Sequence, residues 1–449
     1  MDSPIKVRFP PSPTGFCHVG TARMAILNYL FAKKNGGTIV FRSEDTDKAR
    51  SRPEFEEDIK EQLQWLGLSW DEFYRTTDLV STHTDAMQKL VAEDKACVSE
   101  EESKKEPGTM VQVVRLRNPG TAITFTDLIR GEITFDTTEL GDFAIGRAID
   151  DPLYHLAVVV DDASHGITHV IRGEDHISNT PRQILIQEAL GYPRPQYAHY
   201  PLHLGADRSK LSKRTGDVAV KSYREKGFLP QALLNYIAVL GWTAPSGKEL
   251  LSLTEMIEAF DIRDVHKSGA VFDMEKLRWF NREYILKLTD DEFAAAVLPI
   301  MEEGMQGRGL TWDQGMATKL LPVIKERVSV WSDLSEQLAA GEYDLFFKDP
   351  TPAAEEIPGK GNTKAAAATH LAKLHELYIG ASAEIFDTPE RLKDTVWEYA
   401  TEQGRGAVLW PMRFSLSGLA RSPDPFTIAS IIGRDATLRR LDAARQLLI

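Results

Sequence analysis

Apolar and charged residues alternate at the start of the chain and then change period. The run IKVRF over residues 5–9 alternates strictly and stops at Pro10 and Pro11, which predicts a short strand. Residues 21–34 contain no Gly or Pro and repeat apolar residues at three- and four-residue spacing, which predicts a helix that ends near Gly36. The chain therefore begins with a strand, a loop and a helix.

Segments of both kinds continue through the first half of the chain. Residues 38–42 are rich in β-branched and aromatic residues, and Pro53 opens an amphipathic helical segment that ends at Gly67. The near-continuous apolar runs 153–160 and 168–171 are typical of buried parallel strands. The pattern predicts strands and helices arranged around a parallel sheet.

The region between residues 74 and 150 interrupts this pattern. We predict one helix up to about Ala96, then a charged, turn-prone run SEEESKKEPG, then short strands within 110–116 and 121–135. A further strand is predicted at 197–204. After about residue 215, helical spacing dominates to the end of the chain.

Composition restricts the class of protein. The 449 residues carry a net charge of −13, which argues against indiscriminate nucleic-acid binding but allows a local basic track. No apolar run approaches about 18 residues, so we expect no membrane span and a cytoplasmic location. Cys17 and Cys97 are too few for a disulfide framework or a cysteine zinc site, and fit a reducing compartment.

The loop between the first strand and the first helix holds the first candidate site. Ser12, Thr14, His18 and Gly20 lie at or near a predicted helix N-terminus, where backbone N–H groups favour phosphate. The loop is neither of the common glycine-rich phosphate loops. A lone loop histidine is more often structural than functional, so His18 needs support from elsewhere in the sequence.

Two further candidates occur later in the chain. Lys210 and Lys213 flank a serine in KLSKR, although a basic loop of this kind is usually solvated surface. Glu44 lies just past the predicted strand 38–42, where ligands collect in open α/β sheets. That carboxylate suits either an ammonium ligand or the capping of a turn, and both remain open.

Several of these segments together resemble a known family. PSPTGFCHVG and KLSKR resemble the HIGH-type and KMSKS-type signatures of class I aminoacyl-tRNA synthetases. SEDTD at 43–47, YHL at 154–156, VDD at 160–162 and THVIRGEDHISNTPRQ at 168–183 resemble the glutamyl-tRNA synthetase branch of that class. The C-terminal GRDATLRRLDAARQ resembles the last helix of the family more weakly, so the resemblance covers nearly the whole chain.

The resemblance implies an α/β fold, in which a class I Rossmann-type parallel-sheet catalytic domain is split by an α+β insertion and followed by all-α C-terminal domains. The implied segments are a first Rossmann-type half at 1–76, a shortened insertion that binds the tRNA acceptor end at 77–149, a second Rossmann-type half at 150–209, the KMSKS-type loop with a stem-contact domain at 210–292, and an α-helical anticodon-binding region of one or two subdomains at 293–449.

The resemblance also implies the reaction, the ATP-dependent ligation of L-glutamate to tRNA(Glu) through a glutamyl-adenylate, with tRNA(Gln) left open as a second substrate. ATP would bring Mg²⁺, and the protein would act as a monomer. The implied catalytic and ATP-binding residues are His18, Gly20, Lys210 and Lys213. The implied glutamate-binding residues are Arg8 and Arg172 for the γ-carboxylate, Glu44 for the ammonium group, and Ser12 and Tyr154.

The chain departs from the family pattern in a few places. The segment 96–115 is shorter than usual and lacks the zinc-ligand cysteines of some members, so no metal site is expected. Lys325, Arg327 and Arg413 are candidates for RNA contact, although such helix charges are more often solvated. Two alternatives remain, a relative that charges or modifies something else and a degenerate paralogue that binds tRNA or nucleotide without catalysis.

Overall fold

The structure is a computed structural model that describes residues 4–102, 108–205 and 219–449. Lys210 and Lys213 lie outside the described residues. The chain divides into two compact units, Met1–Asn281 and Arg282–Ile449. In the part of the chain that is described, no helix has both the length and the apolar character needed to span a membrane.

The first unit contains all the strands that the structure describes. They are β1 (Lys6–Phe9), β2 (Thr38–Ser43), β3 (Glu72–Arg75), β4 (Ala96–Glu102), β5 (Met110–Leu116), β6 (Ala122–Asp127), β7 (Gly131–Asp136), β8 (Phe143–Ala148), β9 (Asp151–Pro152), β10 (His169–Gly173) and β11 (Gln196–Tyr200). Its helices are α1 (Val19–Lys34), α2 (Pro53–Trp65), α3 (Val80–Ala92), α4 (Tyr154–Ser164), α5 (Thr180–Leu190), α6 (Val220–Glu225), α7 (Pro230–Val239), α8 (Leu253–Ala259) and α9 (Met274–Lys287), of which α9 runs on into the second unit.

Two sets of parallel strands form the centre of this unit. β1 pairs with β2 and β2 with β3, while β10 pairs with β11. The sets meet at β1, where the backbone N–H of Thr168 donates to the carbonyl of Lys6 at 2.9 Å and the N–H of Lys6 donates to the Thr168 hydroxyl. The predicted parallel sheet, divided in sequence by an insertion, is confirmed.

The insertion contributes two antiparallel groups of strands. β4, β5, β8 and β9 form one sheet, and the β6–β7 hairpin extends the second parallel set. β6 joins that set through a parallel bridge between Asp127 and Tyr197, and the N–H of Leu128 donates to the carbonyl of Tyr197. This register places the end of β6 beside β11.

Helix α1 fixes the first loop against the sheet. It packs on β1, β10 and α7, and eleven of its sixteen residues are buried, so most of its surface is in contact with protein. The side-chain amide of Asn28 donates to the carbonyl of Ile171 in β10 at 3.1 Å. The N-terminus of α1 therefore has a fixed position relative to β10.

The prediction of a strand at residues 153–160 was wrong, because this segment is helix α4. Its valines are β-branched residues that favour strands, and they led to the prediction of extended backbone. Residues 156–162 are all buried, including Asp161 and Asp162. A helix that is covered on nearly every side needs no polar stripe, so hydrophobic periodicity does not separate it from a buried strand.

The start of the charged run after Ala96 was also misjudged. Residues 97–102 belong to β4, the edge strand of the antiparallel sheet, in which exposed and half-exposed side chains alternate, and residues 103–107 of the run lie outside the described residues. Glu101 forms an ion pair with Arg115 on the neighbouring β5, with an Nε to Oε1 distance of 2.7 Å. Charges on an edge strand discourage pairing with other chains. A charged edge strand therefore has a composition similar to that of a turn. β3 (Glu72–Arg75) was not predicted at all.

The regular elements among the described residues of the second unit are all helices, as predicted from the spacing of apolar positions. Its remaining α-helices are α10 (Asp290–Gly307), α11 (Gln314–Arg327), α12 (Trp331–Ala339), α13 (Asp344–Phe347), α14 (Lys364–Gly380), α15 (Pro389–Gln403), α16 (Arg405–Ser417) and α17 (Pro425–Gln446). The finer division of the chain into five segments stays a prediction.

Candidate functional site

A cleft of about 440 Å³ lies at the carboxyl ends of β1, β2 and β10, beside the N-terminus of α1. This is the edge at which open α/β sheets bind ligands. Seven of the predicted site residues line it: Arg8, Ser12, His18, Gly20, Glu44, Tyr154 and Arg172. Residues separated by up to about 160 positions in sequence thus share one cavity.

His18 is the N-cap of α1. Its Nδ1 accepts a hydrogen bond from the backbone N–H of Thr21 at 3.2 Å, which places the ring beside the free N–H groups of the first turn. A Cβ atom on Gly20 would lie 3.1 Å from both Cε1 and Nδ1 of this ring. A side chain at position 20 would therefore force the ring to shift by a few tenths of an ångström from its capping position.

Arg8 is buried at the floor of the cleft with only 1% of its surface exposed. Its Nε donates to Oδ1 of Asp162 at 3.2 Å, whereas its Nη1 has no hydrogen-bond partner among the described residues. A buried donor without a partner is costly and is rare in native proteins. The group suits an acceptor that enters the cleft.

Arg42 connects the floor of the cleft to Glu44, and the sequence did not predict this role. Its Nη2 donates to Oε1 of Glu44 at 3.0 Å, and its Nη1 donates to the same Asp162 oxygen that Arg8 contacts. Burial raises the pKa of Glu44 above its ordinary value, while Arg42 and Arg8 oppose that change. A cationic ligand group beside Glu44 would favour its charged form.

Arg172 is held by neutral groups. Its Nε donates to Nε2 of His199 at 3.0 Å and its Nη2 to the hydroxyl of Thr180 at 2.8 Å. No carboxylate lies within ion-pair distance of this guanidinium in the described part of the chain. Burial, together with the positive charge of Arg8, lowers the pKa of Arg172. A buried charge of this kind calls for an anionic ligand.

His199 and Asp127 complete a buried chain of hydrogen bonds behind Arg172. Nδ1 of His199 lies 2.6 Å from Oδ2 of Asp127, and both residues are almost fully buried. Neither residue was predicted. The signal that the sequence offered was His199, a lone histidine inside an apolar strand. A histidine in such a place is usually a core residue whose hydrogen bonds are satisfied.

The arrangement suits an amino acid with a second carboxylate. Arg8 and Arg172 present positive charge to one cavity, and Glu44 presents negative charge to the same cavity. The N-terminus of α1, with His18, favours phosphate at the neighbouring wall. The cleft therefore has separate complements for a carboxylate, an ammonium group and a phosphate.

The three candidates for RNA contact all lie in the second unit and have partners there. Lys325 donates to the carbonyl of Leu288 at 2.7 Å, Arg327 forms an ion pair with Glu342, and Arg413 donates to the carbonyl of Ala420. These bonds use only part of the N–H donors of each side chain.

We expect the isolated protein to contain no stoichiometric zinc. Cys17 and Cys97 are free thiols in separate places, and burial raises the pKa of the Cys17 thiol, which disfavours the thiolate that zinc binds. No cluster of three potential metal ligands occurs among the residues that the structure describes. Elemental analysis provides the measurement. One zinc per chain, lost together with activity, would contradict this prediction.

Two family models match the chain. The model for the catalytic domain of class I tRNA synthetases (E and Q) matches residues 4–106 and 97–279. The model for an anticodon binding domain matches residues 292–445. Together they span both compact units.

Individual relatives agree with these matches. The glutamate–tRNA ligase of Aquifex aeolicus is 42% identical over 79% of this chain and 81% of its own length. The glutamate–tRNA ligase of Oleidesulfovibrio alaskensis is 41% identical over 99% of this chain and 100% of its own. The crystal structure of a glutamate tRNA ligase from Elizabethkingia meningosepticum, in complex with its amino acid, covers 100% of both chains with a TM-score of 0.85 and 29% identity.

Proposed function

Because the chain belongs to the glutamate–tRNA ligase family of class I tRNA synthetases, it ligates glutamate to tRNA in an ATP-dependent reaction, and we propose that the cleft between β1 and β10 is the site of both chemical steps. In the first step a carboxylate oxygen of glutamate attacks the α-phosphorus of ATP and pyrophosphate leaves. In the second step a hydroxyl at the 3′ end of tRNA attacks the acyl carbon and AMP leaves.

The observation that carries the proposal is the buried guanidinium of Arg172, which has no acidic partner in the described residues. A planar guanidinium matches the geometry of a carboxylate, so Arg172 binds the γ-carboxylate of glutamate. The Nη1 of Arg8, which has no partner among the described residues, supplies a further donor. Glu44 receives the α-ammonium group. Ser12 and Tyr154 line the same pocket and complete the contacts to the substrate.

ATP occupies the wall formed by the loop and the N-terminus of α1. His18 and the backbone N–H groups of the first turn stabilise the α-phosphate, and Gly20 leaves room for the nucleotide. Lys210 and Lys213, assigned from the sequence motif, hold the phosphates and neutralise the leaving pyrophosphate. Mg²⁺ enters with the triphosphate and offsets part of its charge.

In this proposal the second unit binds tRNA. Its matched family is an anticodon binding domain, and Arg327 lines a cavity of about 1060 Å³ there, which also contains Lys319 and Arg421. We propose tRNA(Glu) as the partner, with Lys325, Arg327 and Arg413 as candidate contacts. A cytoplasmic location fits the two free thiols. A monomeric state stays a prediction.

An aminoacylation assay with ATP, Mg²⁺ and separate transcripts of tRNA(Glu) and tRNA(Gln) tests the proposal. We expect glutamyl-tRNA and AMP with tRNA(Glu), and no product with glutamine. Glutarate, which lacks the ammonium group, and norvaline, which lacks the γ-carboxylate, should each compete far more weakly than glutamate, because each leaves one charged group of the cleft without its counter-charge.

The aminoacylation assay and the competition by norvaline each have an outcome that contradicts the proposal. Binding of ATP and tRNA without any glutamyl-tRNA would favour the degenerate paralogue. Competition by norvaline as strong as that by glutamate would mean that Arg8 and Arg172 do not bind the γ-carboxylate. Product with tRNA(Gln) would extend the range of substrates without changing the site.

A further inference from the structure

We propose that Asp127 and His199 are positioning residues for Arg172, and that they thereby set the preference for glutamate over glutamine. This inference rests on the proposed role of Arg172 at the γ-carboxylate. The two residues are not among the described residues that line the cleft, so their effect passes through the guanidinium.

The hydrogen bond between Arg172 and His199 fixes the tautomer of the imidazole. The Nε–H of an arginine only donates, so Nε2 of His199, 3.0 Å away, must accept. The ring proton is then on Nδ1, where it is donated to Oδ2 of Asp127 at 2.6 Å. A protonated or Nε2–H imidazole would set its Nε2–H against the Nε–H of Arg172, and burial does lower the pKa of His199.

Thr180 forms a second hydrogen bond with the guanidinium of Arg172. Its hydroxyl accepts from Nη2 of Arg172 at 2.8 Å and lies 3.1 Å from Nε2 of His199. The edge of Arg172 formed by Nε and Nη2 is thus tied to neutral acceptors, which fixes the plane of the guanidinium without cancelling its charge. An acidic partner in place of His199 would compete with the substrate carboxylate.

Asp127 is itself fixed by the backbone. Its Oδ1 accepts hydrogen bonds from the N–H groups of Ile129 at 3.0 Å and Arg130 at 2.9 Å, in the turn that follows β6. Although burial opposes it, the bond from His199 and these backbone bonds lower the pKa of Asp127. A charged carboxylate therefore has one oxygen committed to the backbone and the other to the imidazole.

Because of this arrangement, the substitution Asp127→Asn should reverse the tautomer of the His199 imidazole. In the variant, the amide oxygen must keep accepting from the two backbone N–H groups, because turning the amide would set donors against donors. The new N–H₂ group then faces Nδ1 of His199 and donates to it. The ring proton moves to Nε2, where it opposes the Nε–H of Arg172. The substitution changes hydrogen-bond direction with almost no change in volume.

We expect Asp127→Asn to raise the KM for glutamate and to lower the glutamate-to-glutamine ratio of kcat/KM by about 10- to 100-fold, the scale of one opposed buried donor. The KM for ATP should stay at the wild-type value. In ¹⁵N NMR of histidine-labelled protein, His199 should carry its proton on Nδ1 in the wild type and on Nε2 in the variant. Asp136→Asn, an exposed substitution at the end of β7, is the matched control and should change none of these values.

A second pair of variants decides the case if Asp127→Asn does not fold. The amide of His199→Gln presents an oxygen and a nitrogen spaced like the two ring nitrogens, whereas His199→Leu presents neither. We expect the Gln variant to keep more of the preference for glutamate than the Leu variant. Equal losses in the two would overturn the inference and leave His199 with a packing role.

Different results would contradict the proposed role of Arg172 and the positioning role of Asp127 and His199. If Arg172→Leu lowers the preference for glutamate but Asp127→Asn retains the wild-type ratio and KM, the positioning role is wrong and the proposed function stands. If Arg172→Leu also keeps the wild-type ratio, the assignment of Arg172 to the γ-carboxylate is wrong.

Discussion

Arg172→Leu should remove most of the preference of the enzyme for glutamate over glutamine. Glutamine is nearly isosteric with glutamate, so the size of the pocket discriminates poorly. In the wild type, bound glutamine would leave the buried guanidinium facing an amide without a counter-charge, at a cost of about 2 to 5 kcal/mol. The ratio of kcat/KM for the two amino acids should therefore fall by about 30- to 4,000-fold.

The comparison needs a control for loss of positive charge in general. Arg263 is highly exposed and pairs with Asp261 in the same unit, away from the cleft, so Arg263→Leu should leave the ratio unchanged. Unfolding temperatures of both variants should be recorded, because Arg172→Leu also leaves His199 and Thr180 without their donor. A wild-type ratio in a folded Arg172→Leu protein would show that Arg172 is a structural arginine.

Lys213→Ala should slow the formation of glutamyl-adenylate by about 10² to 10⁴, the scale expected for one well-placed electrostatic group. The lysine is assigned from its place in KLSKR, and in the proposed role its charge stabilises the negative charge that develops on the phosphates. The binding of glutamate should change little. Pyrophosphate exchange and equilibrium binding measure the two quantities separately.

Lys213→Arg provides the matched variant for this prediction, because it retains the charge while changing its shape. We expect it to lie between the wild type and Lys213→Ala in rate. A parallel loss of glutamate affinity and rate in Lys213→Ala would instead indicate a misfolded protein or a wrongly assigned loop.

The sequence predicted those parts of the site that local chemistry defines. The strand at residues 5–9, the helix that follows it and the positions of His18 and Glu44 next to regular elements all came from short-range patterns. Arg8 and Arg172 were assigned through the resemblance, and the structure brings them to one cleft. The motifs of the resemblance therefore identified residues that line one cavity.

The supporting residues were not predictable in the same way. Asp127 and His199 are 72 positions apart, and their contact depends on the register between β6 and β11. Arg42 and Asp162 are 120 positions apart, and Asp162 reaches its partners only because residues 153–160 form a helix rather than a strand. Single-sequence patterns contain no information about such pairings.

The junction at Lys6 and Thr168 has a consequence for the order in which this protein forms during synthesis. β1 emerges first, but the residue that hydrogen-bonds its outer side is made 162 positions later. Until then the nascent chain exposes the unpaired edge of a strand, which is the kind of surface that recruits unwanted partners. Closure of the catalytic sheet is thus a late, long-range event, and the folding rate should be governed by that loop closure rather than by the early helices.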